Sequence, residues 1–450
     1  MVLDPDPGLS IACIFAMLRN CLLLCRDRII PESIMTDHAK PTVPSYTTLT
    51  FLRVLAPILL AFSLSQFFRS AQALLAGPLR DELAVTPEQI GLISGSFHFA
   101  FALMQIPVGV MLDRYGPRLT NGMLMMLTVI GVIIFANAQS VLGLMVGQAV
   151  IGLGCSAAFM AALVLAARWT APEKFAAASG LIVSFSLLGV LASATPLAAL
   201  VETHGWRFVY YGLAGLSLLA VVLDLLFVRD TPPGKEVHDQ KGETVLDALR
   251  GMVSVWKNRQ VWLLAGVAFF SYPAILTVRG LWGGPYLHDV FDLSAVEVGN
   301  VLLVMTIGMI VGPPTYGQLK RMLPGKTHEL IVFAVLVGAI ACLLQAFIGP
   351  VGVWAAALLL LLHGFLGSSA TLNYAASREA VPEHQIGRAL TTINLATFAG
   401  LFVLQGIAGL IIGQFEAGSP VGYRMMFIFL GIGLGVAGIS FWFGARRKSR

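Results

Sequence analysis

Twelve apolar segments, each close to the roughly 20 residues that a helix needs to cross the hydrocarbon core of a bilayer, run through this chain. They fall at about 52–76, 88–112, 119–138, 141–167, 176–201, 207–228, 260–283, 296–317, 328–348, 352–377, 387–413 and 423–444. Lipid offers no partner for a backbone N–H or C=O, so such segments must form helices or a closed barrel. The period-2 alternation of barrel strands is absent, which leaves helices. Short charged or Pro- and Gly-bearing turns separate the segments. The expected fold is an all-α polytopic membrane protein. Charged residues are 12% of the chain, against about a quarter in a soluble domain, so the lipid bilayer is its expected solvent.

Lys and Arg set the orientation. With the N-terminus inside, the outer segments hold only Arg80, Arg207 and Arg424, and Arg69 and Arg279 lie within spans. Every other one of the 29 Lys and Arg residues then falls on the inner side. That asymmetry is the positive-inside pattern, with both termini cytoplasmic. No basic run with interleaved aromatics occurs, which argues against nucleic acid as a partner. Cys13, Cys21, Cys25, Cys155 and Cys342 have no metal-type spacing and read as free thiols. Neither a metal nor a cofactor is expected.

Residues 1–51 read as a cytoplasmic extension. The apolar run 11–25 is interrupted by Arg19, is too short to span, and lacks the flanks of a signal peptide. Met35 is an alternative start. Residues 52–228 then form a first six-helix bundle, 229–259 a cytoplasmic linker with an amphipathic second part, 260–444 a second bundle, and 445–450 a basic tail.

The two bundles repeat at an offset near 210 residues. Arg168-x3-Pro172-Glu173 returns as Arg378-x3-Pro382-Glu383, and Gly205-Trp206-Arg207 returns as Gly422-Tyr423-Arg424. The stretch from Gly77 to Gly91 returns from Gly284 to Gly299. Each copy includes a capping box, Thr86 with Gln89 and Ser294 with Glu297. Three matches in one order argue for duplication. Parallel repeats of this kind place a solute site between the halves, near the midplane.

After the second segment comes Gly109-Val-Met-Leu-Asp113-Arg114-Tyr-Gly116-Pro-Arg118. It resembles the G-x-L-x-D-R-x-G-R-R signature of the major facilitator superfamily, and the likeness extends over about 52–444. The resemblance implies a transporter working by alternating access and not an enzyme, monomeric, in the cell inner membrane. It also implies that Asp113 and Arg114 help to latch the halves on the inner side, with Gly109, Gly116 and Arg118 as the rest of the gate. The second copy has Arg321 where Asp113 stands in the first, so the latch should be unequal. Helices 1 and 2 resemble the anion:cation symporters and the organophosphate antiporters. In the latter, an Arg on helix 1 and one on helix 7 hold the substrate anion, and Arg69 and Arg279 match those positions approximately. Helix 4 has Gln148 where the family often has Arg, and the antiporter signature of helix 5 is missing.

A charge at the centre of a span costs roughly 2.5–3.5 kcal/mol on insertion scales. Arg69 and Arg279 therefore either snorkel to the outer interface or flank a cavity as a pair of anion-binding forks. His98 and His363, near the middles of helices 2 and 10, are candidates for a proton relay, or are neutral and bonded between helices. Asp224, near the inner end of helix 6, is the one carboxylate that lies beyond the first two residues of a span. Gln66, Gln105, Asn300, Asn373, Tyr374, Asn394 and Gln405 can bind a solute or glue helices together. The set expected at a substrate is Arg69, Arg279, Gln105, Asn373, Tyr374, Asn394 and Gln405. The leading solute is a small organic anion. The alternatives are a neutral aromatic or vitamin-like molecule such as riboflavin, a drug for efflux, or, in another class, a membrane-embedded enzyme or lipid-handling protein. No GxxxxGK[ST] loop for ATP occurs.

Overall fold

In a computed structural model the described residues are 48–170, 172–232, 255–256, 258–347, 352–382, 385–416 and 418–446. The N-terminal extension, most of the linker and the end of the tail lie outside them. The helices are α1 Thr48–Ser70, α2 Gln72–Leu83, α3 Pro87–Asn137, α4 Val141–Cys155, α5 Ala158–Trp169, α6 Pro172–Ala192, α7 Thr195–His204 and α8 Trp206–Phe227. They continue with α9 Arg259–Thr277, a π turn Val278–Trp282, α10 Gly283–Phe291, α11 Ala295–Met322, α12 Thr327–Phe347, α13 Val353–Gly367, α14 Ala370–Glu379, α15 Ile386–Gly413 and α16 Pro420–Arg446.

Ten stretches among the described residues are long and apolar enough to cross a membrane, and the bent pair α1–α2 makes an eleventh. The 51 residues of α3 would reach about 76 Å as one straight helix, more than twice a hydrocarbon core. Gly116 breaks α3 at φ 76°, ψ 168°, so it supplies two spans. Span 1 is α1–α2, spans 2 and 3 are the parts of α3, span 4 is α4–α5, span 5 is α6–α7 and span 6 is α8. Span 7 runs from α9 through the π turn to α10, span 8 is α11, span 9 is α12, span 10 is α13–α14, and spans 11 and 12 are α15 and α16.

Both capping boxes form. Thr86 accepts from the amide of Gln89 at 3.4 Å, and the Gln89 side chain accepts from the amide of Thr86 at 3.0 Å. Ser294 and Glu297 repeat this at 3.4 and 2.9 Å. Before each box the chain turns through a left-handed residue, Ala84 and Asp292. The ends of spans 6 and 12 repeat as well. The guanidinium of Arg207 donates to Ala136 O, and that of Arg424 to Ala346 O. The first span extends to Leu83 and the seventh to Phe291, beyond the sequence-based ends at 76 and 283. Pro78 and Pro285 do not stop them. Pro285 follows directly on the π turn, as the third residue of α10.

We call the end richer in Lys and Arg the inner side. The halves meet toward the other end. Spans 2 and 11 run antiparallel in register, from Gly91 against Gly409 through Ser94–Gln405 to Gln105–Asn394. Spans 5 and 8 meet at Thr195, whose hydroxyl donates to Asn300 Oδ1 at 2.8 Å. Spans 1 and 7 touch backbone to backbone: a Cβ on Gly284 would fall 1.8 Å from Ala73 O, so only glycine permits the contact. At the outer rim Arg80 of span 1 pairs with Asp289 of span 7 at 3.3 Å.

Candidate functional site

A cavity of about 210 Å³ opens between the halves, walled by spans 1, 2, 4, 5, 7, 8, 10 and 11. Most of its lining is apolar, so its few polar groups decide what it can hold. Among the described residues Arg69 is the one cation in that lining. Its side chain comes from the last turn of α1, just before a 51° bend, and only 7% of the residue is exposed. Nη2 donates to Ser65 Oγ at 2.9 Å, and Nε has no partner. The guanidinium lies 4.5 Å from the ring centre of Phe101 and 5.3 Å from that of Phe398, one ring from each half. These rings supply cation–π attraction. No carboxylate pairs with Arg69 among the described residues. A buried, uncompensated, partly unbonded fork has the geometry to accept an anionic group.

A chain of amides and a phenol crosses the cavity beside it. Tyr374 OH donates to Asn394 Oδ1 at 3.1 Å, and Asn394 Nδ2 donates to Gln105 Oε1 at 2.7 Å. Asn373 Nδ2 donates to Ser271 Oγ at 3.4 Å, which leaves its Oδ1 unpartnered. Gln105, Asn373, Tyr374 and Asn394 thus share the lining with Arg69, as does Gln66.

Arg279, Gln405, His98 and His363 stand behind the cavity wall. Arg279 is wholly buried, and its donors are taken by Thr306, Ser70, Val190 and Ser193. Span 7 continues about three turns past it, to Phe291, so it sits deeper than a residue near an outer end and does not snorkel. Gln405 accepts from Ser94 Oγ at 2.8 Å and donates to Leu276 O at 3.2 Å, tying spans 2, 7 and 11 together. His98 bonds Ser94 O through Nδ1 at 3.1 Å, between the rings of Phe97 and Phe398. His363 faces Cys342 Sγ at 3.4 Å inside the second half. Asp224 also lies away from the cavity, with Asn121 Nδ2 donating to it at 2.5 Å.

The signature loop folds onto its own half. A Cβ on Gly116 would meet the Asp230 carboxylate. The amide of Arg118 donates to Asp230 Oδ1 at 2.8 Å, and its guanidinium donates to Leu225 O. Asp113 and Arg114 are exposed, with the Arg114 guanidinium 5.4 Å from the Tyr115 ring. Gly109 has open space around it. In the second half Lys320 pairs with Glu379 at 2.7 Å.

Sequence reasoning passed over Tyr272, Phe101 and Phe398 in the lining. Tyr272 had a signal: like Tyr374, it carries a phenol inside an apolar segment. The two phenylalanines had none, among 27 in the chain.

Comparison with known proteins agrees with this architecture. The chain is 25% identical over 374 residues to the hexuronate transporter of Bacillus subtilis, covering 81% of this chain and 88% of that one. It is 24% identical over 305 residues to the galacturonate transporter of Dickeya chrysanthemi, covering 64% and 86%. It is 28% identical over 269 residues to the probable sulfoacetate transporter SauU of Cupriavidus necator, covering 57% of this chain and 61% of that relative. In structure it resembles a bacterial homologue of the human lysosomal transporter Spinster, with TM-score 0.70, 16% identity, and 87% and 96% coverage. It resembles the nucleoside transporter NupG as well, with TM-score 0.72, 13% identity, and 88% and 99% coverage. The sequence profile of the Major Facilitator Superfamily matches residues 58–361. With its duplicated helices, its central cavity and this match, the chain belongs to the Major Facilitator Superfamily and is a membrane transporter, not an enzyme.

Proposed function

We propose that this transporter moves a small organic anion across the cytoplasmic membrane by alternating access, with Arg69 as the anchor for its carboxylate or sulfonate. The reading rests on one observation: a buried guanidinium faces the cavity between the halves with no carboxylate partner among the described residues. Gln105, Asn373, Tyr374 and Asn394 supply hydrogen bonds to the rest of the solute. Relatives named for hexuronate, galacturonate and sulfoacetate support an anion of this size. Asp113, Arg114 and Arg118 close the inner side when the cavity turns outward. Both termini are cytoplasmic in this scheme, and the carrier acts as a monomer.

Proteoliposomes test the assignment. Galacturonate and sulfoacetate are the probes, with wild type beside Arg69→Gln. Loss of the charge-assisted bonds should weaken binding by about tenfold or more. Equal uptake by the variant removes the basis for the assignment. The ring-rich lining, including Phe101, Phe398 and Tyr272, favours a second reading, a neutral aromatic solute. A rise in melting temperature with riboflavin but with neither anion selects it, since only a bound solute stabilises the fold.

A further inference from the structure

Three helices lose their regular hydrogen-bond ladder around Arg279. At the α1–α2 break the amide of Leu74 bonds Ala71 O at 3.1 Å, not Ser70 O. At the α6–α7 break the amide of Ala194 bonds Leu191 O at 3.1 Å, not Val190 O. Two carbonyls are thereby freed, each at the C-terminal end of a helix segment, where the backbone dipole is negative. The third irregularity is the π turn Val278–Trp282, which carries Arg279 to both of them.

Nη1 of Arg279 donates to Ser70 O at 3.4 Å. Nη2 donates to Val190 O at 3.0 Å and to Ser193 Oγ at 3.5 Å. Nε donates to Thr306 Oγ1 at 2.9 Å, and that hydroxyl in turn donates to Leu302 O at 2.8 Å. Ser70, Val190 and Ser193 belong to the first half, and Arg279 and Thr306 to the second. The charge has no carboxylate among the described residues. Helix-end carbonyls of the opposite half compensate it. Those bonds hold only while spans 1, 5, 7 and 8 are packed together on the outer side.

We propose that Arg279 is the latch of the outer gate, seated on the broken ends of spans 1 and 5, and is not a ligand of the solute. Opening the outer side withdraws the guanidinium from Ser70 O and Val190 O. The latch adds a conformational role to the anion reading above and needs that reading only for a control.

The test uses spin labels at Glu202→Cys and Ala295→Cys, exposed positions at the outer ends of spans 5 and 8. The full chain carries them with its five native cysteines replaced. Distances are read by electron–electron double resonance without added solute. Arg279→Gln should raise the ratio of long to short distances by about tenfold, the equivalent of one lost charge-assisted bond. Arg279→Lys should fall between that variant and the parent. Ser193→Ala combined with Thr306→Val removes two acceptors and should shift the ratio the same way, by less. Galacturonate binding, read by calorimetry, should fall in Arg279→Gln by no more than the inward-facing population falls, whereas Arg69→Gln should lose it. An unchanged distance distribution in Arg279→Gln overturns the latch, as does a loss of affinity equal to that of Arg69→Gln. Should Arg279→Gln fail to assemble, the Ser193/Thr306 pair decides, and no shift there overturns the proposal. If wild type binds no galacturonate, the anion reading fails while the distance measurement still tests the latch.

Discussion

Arg69 and Arg279 are the same residue type at similar depth, and their surroundings divide them. Arg69 has one side-chain acceptor, two aromatic rings and an open cavity. Arg279 has two carbonyls, two hydroxyls and no cavity. The cost of a buried charge makes both visible in the sequence, but it does not say what compensates each. That depends on where distant helices break, and neither Ser70 nor Val190 carries a signal for it. Of the polar candidates, Gln105, Asn373, Tyr374 and Asn394 reach the cavity and Gln405 does not. Helix periodicity alone leaves Gln405 and Asn394 on one face, and only the packing of span 2 separates them. The role of Arg69 makes a prediction of its own. Arg69→Lys keeps the charge and loses the planar fork, so affinity for a carboxylate solute should drop only about three-fold, less than the loss in Arg69→Gln. Titration calorimetry on both variants checks the order.

At the scale of elements, interrupted helices shape the interface. The α1–α2 bend, the α6–α7 break and the π turn each interrupt a span where the two halves touch. The sequence shows them only in part. No proline marks Ser70, Pro196 in the first turn of α7 marks the break after Ser193, and Gly283-Gly284-Pro285 reads as the end of a helix although span 7 runs on. The capping boxes and the long apolar segments were legible, because they depend on near neighbours in the chain. Close contact between spans 1 and 7 depends on Gly284, where a methyl group would collide with backbone that cannot swing aside. Gly284→Ala should hold the outer side apart, slow transport and raise labelling at outer positions by an impermeant thiol reagent. Gly212→Ala is the control. Its Cβ meets nothing within 4 Å, so the change should leave transport alone and stabilise its helix by about 0.5–1 kcal/mol.

For the whole molecule, duplication is what the sequence revealed most clearly, and the two copies are not used alike. In the first half, Glu82 at the end of span 1 is held within its half, by Trp206 Nε1 at 2.6 Å and Arg207 Nε at 2.9 Å. In the second half, Asp289 takes the hydroxyl of Tyr423 at 2.5 Å and has an oxygen left for Arg80 across the interface. Repeated sequence shows the matching positions but not which copy turns its bond outward to the partner half. The Arg80 side chain is about a third exposed, and pairs of this kind contribute up to about 1 kcal/mol. Asp289→Asn should therefore loosen outer closure by only a few-fold, in a salt-dependent way, and by less than Arg279→Gln, in the same distance measurement. The lone guanidinium in the cavity has an electrical consequence. When the empty carrier turns over, Arg69 traverses part of the transmembrane field as net positive charge, whereas a bound monovalent anion cancels it. A full crossing is worth about 2.3 kcal/mol per 100 mV, so an interior-negative potential holds the vacant carrier facing inward and acts little on the loaded one. Capacitive current on a solid-supported membrane should appear in the absence of solute, fall when a monocarboxylate saturates the site, and be smaller in Arg69→Gln, with the buried Arg279 charge carrying the remainder.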